Sequence, residues 1–110
     1  MKIIIPNPPD RALVFLRRAG YSEYLDPNTQ KYSFSKRLGP DFFPKFHIYV
    51  EEYDTELVIN LHLDQKKTSY EGSRQHSGEY EGPLLDREAE RLKNFAATYD
   101  RELPDIEKPK

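Results

Sequence analysis

The chain contains three histidines, His47, His62 and His76, and no cysteine, so transition-metal or acid–base chemistry would have to be built from imidazoles and carboxylates. His47 and His62 fall in two runs that alternate between apolar and polar positions. In the first, Phe46, Ile48 and Val50 alternate with Lys45, His47, Tyr49 and Glu51. In the second, Leu57, Ile59, Leu61 and Leu63 alternate with Val58, Asn60, His62 and Asp64. A period of two is the mark of a strand with one apolar face. With Asp54 and Thr55 as the two turn residues, the runs form a hairpin that sets His47 opposite His62, Tyr49 opposite Asn60, and Lys45 opposite Asp64. Asp64 lies two residues past His62 and shares its face. A different loop length would slide the register without moving either histidine to the other face.

Directly opposed Cβ atoms on neighbouring strands are about 4.5–5.5 Å apart, close enough for two imidazoles to share a metal ion. His47, His62 and Asp64, with His76 from the following loop, are therefore the candidate metal ligands. Glu79 is the candidate general base or additional ligand. Mixed nitrogen and oxygen ligation of this kind suits zinc or manganese, and an open coordination position would acidify a bound water for hydrolysis. The competing expectation is structural. Two histidines on a wet sheet face stack and hydrogen-bond to a neighbour such as Asn60, and no HExxH or HxH motif argues otherwise. Nucleophilic catalysis by Ser69 or Ser77 lacks a GxSxG elbow, and Gly72, Gly78 and Gly82 do not have phosphate-loop spacing.

The elements that would position these residues can be traced along the chain. Met1 to Pro6 carries a short apolar run, far below a secretory or spanning segment, so a cytoplasmic location is expected; Ile3 to Ile5 suits a short strand or an arm. Asn7 as N-cap, Pro8 at the first helical position and Gly20 past the end bracket a helix with an apolar stripe of Ala12, Leu13, Phe15, Leu16 and Ala19. Residues 21–31 read as a turn-rich connection with a turn at Asp26-Pro27-Asn28, and Tyr32 to Leu38 as a half-buried strand. Residues 65–82 lack periodicity and form a long loop, of a length that is usually functional or disordered. Pro83 opens a second helix to about Arg101, with Leu85, Ala89, Leu92, Phe95, Ala96 and Tyr99 at helical spacing and Arg87, Arg91 and Lys93 on its wet side.

These elements fit an α+β fold: a two-layer sandwich in which an antiparallel meander of about three strands carries two helices on one face, in the order α-β-β-β-α. Residues 1–103 would form the one domain and 104–110 a flexible tail. At 110 residues the chain has room for a single core, and a formal net charge of -2 disfavours nucleic-acid binding through bulk positive charge. The sheet face bearing His47, Tyr49, Asn60, His62 and Asp64 is left without a helix, and Tyr70, His76 and Tyr80 extend it through the loop. The expected function is a small binding or regulatory module that engages an unknown protein or small ligand, or a second copy of itself, through that surface. A metal-dependent hydrolase is the alternative, and single-stranded nucleic-acid binding, with Tyr49 as a stacking platform, the third reading.

Overall fold

The computed structural model describes residues 1–65, 78–79 and 81–99. The elements are β1 (Lys2–Pro6), α1 (Ala12–Arg18), β2 (Ser22–Leu25), β3 (Tyr32–Arg37), β4 (Lys45–Glu52), β5 (Glu56–Asp64), β6 (Gly78–Glu79) and α2 (Pro83–Ala97). The strands form one antiparallel sheet in the order β1-β5-β4-β3-β2, with the short β6 also pairing β5. The class is α+β, but the order differs from α-β-β-β-α because two edge strands join the meander. β1 puts Ile3 and Ile5 into the core, each 3% exposed, and β5 returns beside it after the intervening strands. β2 lies inside the segment read as a connection. All four of its residues are exposed, so burial imposes no alternation on its sequence.

The apolar side chains of β4 and β5 point to one layer. Phe46, Ile48, Leu57, Ile59, Leu61 and Leu63 form a single buried cluster with Phe15 and Leu16 of α1 and Leu85 and Leu92 of α2. Both helices lie on this face: the Phe15 and Phe95 rings are 5.4 Å apart, centroid to centroid. Most of the stabilisation comes from this layer, at about 1.5–3 kcal/mol for each large apolar side chain taken out of water.

Three local features depart from the sequence expectation. α1 begins at Ala12, because Asn7 takes a positive φ of 49° and its amide bonds to the Thr55 carbonyl instead of capping a helix. The Ala12 amide instead donates to Glu52 Oε2 at 2.8 Å, so a carboxylate from β4 serves the helix start. α2 ends at Ala97, short of Arg101. Residues 66–77, read as loop, and the 104–110 tail lie outside the described residues, whereas Gly78–Glu79, also read as loop, pairs as a strand. Gly20 does stop α1 in the conformation expected of it, with φ 105°.

Candidate functional site

The hairpin register is the one the alternation dictates. Lys45 pairs with Asp64, His47 with His62 and Tyr49 with Asn60, and a hydrogen bond from the Tyr53 amide to the Glu56 carbonyl leaves Asp54 and Thr55 at the tip. Because every core-facing residue of β4 and β5 has an odd or even partner fixed by the pleat, His47, His62 and Asp64 must emerge together on the reverse face.

There Asp64 bridges the two rings. His47 Nδ1 lies 2.9 Å from Asp64 Oδ2, and His62 Nε2 lies 2.9 Å from Asp64 Oδ1. An ionised carboxylate only accepts, so each ring turns a protonated nitrogen toward it and its tautomer is set by that contact. The ring centroids of His47 and His62 are 5.0 Å apart, and Tyr49 packs against both, at 4.8 Å from His47 and 6.1 Å from His62. The surface is less wet than the alternation alone suggests. The side chains of His47, His62 and Asp64 are only 20%, 14% and 19% exposed. Burial pushes the His62 pKa below its ordinary value, and the Asp64 charge opposes that shift only in part. Neutral imidazole is the form a metal ion needs.

One donor atom from each of His47, His62 and Asp64 fits within a span of 4.8 Å. Around a tetrahedral ion with bonds near 2.0–2.2 Å, neighbouring donor atoms stand about 3.3 Å apart. The two nitrogen–oxygen contacts here, each to a different Asp64 oxygen, would widen by about half an ångström, and the widest donor separation, up to 4.8 Å, would close by about 1.5 Å to admit one.

The other proposed site residues separate into two groups. Tyr49 and Asn60 share the face, with Asn60 Nδ2 directed to the Tyr49 carbonyl at a long 3.5 Å. Tyr70, His76 and Tyr80 lie outside the described residues. Glu79 is in β6, where its register partner is Leu63, while Gly78 pairs with Asp64. The chain that leaves the sheet after Asp64 therefore returns beside it. Lys45 turns its ammonium over the Phe42 ring, 3.5 Å from the centroid, and burial lowers its pKa against the pull of Asp64.

A second polar cluster escaped the sequence reading. Glu88, 6% exposed, accepts from the Tyr21 hydroxyl at 2.6 Å and from Arg91 Nε and a terminal guanidinium nitrogen at 2.9 and 2.8 Å. Arg91 also donates to the Ala19 carbonyl at 2.9 Å, so it is not the freely solvated residue expected of it. The signal was available: Leu85, Glu88, Ala89 and Leu92 have the i, i+3, i+4, i+7 spacing of one buried stripe.

No protein-family model, curated protein or solved structure matches this chain. Among the described residues, no helix is long and apolar enough to cross a membrane.

Proposed function

We propose that this protein is a small metal-binding module whose site is the His47–Asp64–His62 cluster, with a divalent transition metal, zinc by preference, as the ligand. The observation that supports it is the convergence of two imidazoles and a carboxylate within 4.8 Å on two directly paired strands. Imidazole with carboxylate is a borderline donor set suited to zinc and manganese, and strands locked in register preorganise it. Purely structural histidines would serve the fold equally well with an apolar pair in their place. This reading gives the expected binding module a specific ligand and keeps the polar sheet face as its working surface.

A hydrolase is the second reading, and one observation favours it: a cleft opens directly beside His47. Single-stranded nucleic acid draws less support, because the Tyr49 ring is engaged with the imidazoles. The test is a calorimetric titration of untagged, chelator-treated protein with zinc and then manganese. One ion per chain is expected, with affinity falling about a hundredfold or more in His62→Ala. Absence of saturable binding, or equal binding by that variant, would refute the proposal.

A further inference from the structure

The strand next to His47 carries Ser33 and Ser35 on the polar face, followed by Arg37 at its end. In β3, Ser33 stands between Tyr24 of β2 and Tyr49 of β4, and Ser35 stands between Ser22 and His47. Small side chains bordered by Tyr24, Tyr49 and His47 leave a trough. Its recess of about 460 Å³ is lined by Tyr24, Ser33, Ser35, Phe42, Lys45 and His47, a size within the range of small-molecule sites, about 300–1,000 Å³.

The lining is chemically sorted. Tyr24 and Phe42 are 58% and 53% exposed and stand as walls, one face of the Phe42 ring being taken by the Lys45 ammonium. The floor offers two hydroxyls. One end is cationic: Lys45, in the lining, sits 3.5 Å over the Phe42 ring, and Arg37, its register partner on β3 just outside the lining, lies 5.5 Å from the same ring. Glu23, the one carboxylate in the lining, is engaged by Arg17 at 3.7 Å. One cation in the lining, a second beside it and two hydroxyls next to aromatic walls match a compact dianion attached to a flat ring.

We propose that this cleft binds a small ring-bearing phosphate monoester, with its ring between Tyr24 and Phe42 and its phosphate toward Lys45, Ser33 and Ser35. The proposal shares only His47 with the metal site and stands without a bound ion.

The test is an NMR titration of the full chain with phenyl phosphate, followed through amide shifts, in chelator and again with zinc. Saturable shifts are expected at residues 33–37 and 45–47 in both conditions. Binding should weaken about tenfold in Lys45→Met and be lost in Ser35→Leu, which fills the trough, while the amide spectrum of each variant reports that it folds. Phenol should not bind, and benzoate should bind more weakly than phenyl phosphate. The proposal is overturned by an absence of saturation, by equal binding in both variants, by benzoate binding as tightly, or by binding that appears only with zinc, since the phosphate would then be a metal ligand. Failure of zinc to bind, with phenyl phosphate still saturating, would remove the metal reading alone.

Discussion

Two carboxylates in this protein each bridge two partners, and the difference between them separates structural from functional polarity. Glu88 lies under the helices and is closed on all sides by a phenol and a guanidinium. Asp64 lies on the face the helices leave uncovered, and its two partners are imidazoles, which bind metals as well as protons. A buried charge demands complete pairing, so the Glu88 cluster couples α2 to Ala19 and Tyr21, just past the end of α1. The Asp64 cluster keeps 14–20% of each side chain exposed, which lowers the energetic demand on it and leaves its donors convertible to another use.

The sharpest way to break this comparison is to delete each carboxylate. Glu88→Ala is expected to destabilise the protein by about 3 kcal/mol in chemical denaturation, at the low end for a broken buried pair because Arg91 keeps 40% exposure and can be rehydrated. Asp64→Ala is expected to change stability by no more than about 1 kcal/mol while zinc affinity falls about a hundredfold. Equal destabilisation by both would erase the distinction.

Alkaline titration sharpens it further. Burial, reinforced by the hydrogen bond to Glu88, raises the Tyr21 pKa above its ordinary value of 10. A folded pKa above the unfolded one means that the unfolded state releases its proton first. The Tyr21 contribution is therefore complete below pH 10 and is lost as pH rises toward the folded pKa. Stability should fall above pH 10, and less so in Tyr21→Phe. The smallest expected effect is at the helix start: Glu52→Ala should cost about 1 kcal/mol, as loss of a cap does, and leave zinc binding unchanged.

What the sequence revealed follows the same division. Strict alternation in Lys45–Glu52 and Glu56–Asp64, with two residues left for the turn, determined the register and so placed His47, His62 and Asp64 together. That inference needs only the pleat and the burial of one face. β2 was illegible because neither of its faces is buried, and β1 was ambiguous because three consecutive isoleucines carry no period. Asn7 looked like a cap by type, but a contact with Thr55 from the distant hairpin tip decided its conformation. Arg91 was misread because its charge suggested water, although the spacing of its partner Glu88 from Leu85 and Leu92 places that carboxylate inside. Of the cleft beside His47, only the polar residues of β4 were anticipated, since its other wall belongs to β2.

The central claim, that His47, His62 and Asp64 hold one metal ion, is tested most directly by long-range proton–nitrogen NMR of the imidazole rings during zinc addition. The account predicts that His47 Nδ1 and His62 Nε2 move together to metal-bound shifts, saturating at one ion per chain, and that neither moves in Asp64→Ala at the same zinc concentration. Rings that keep their protonated nitrogens toward Asp64 throughout the titration would contradict it.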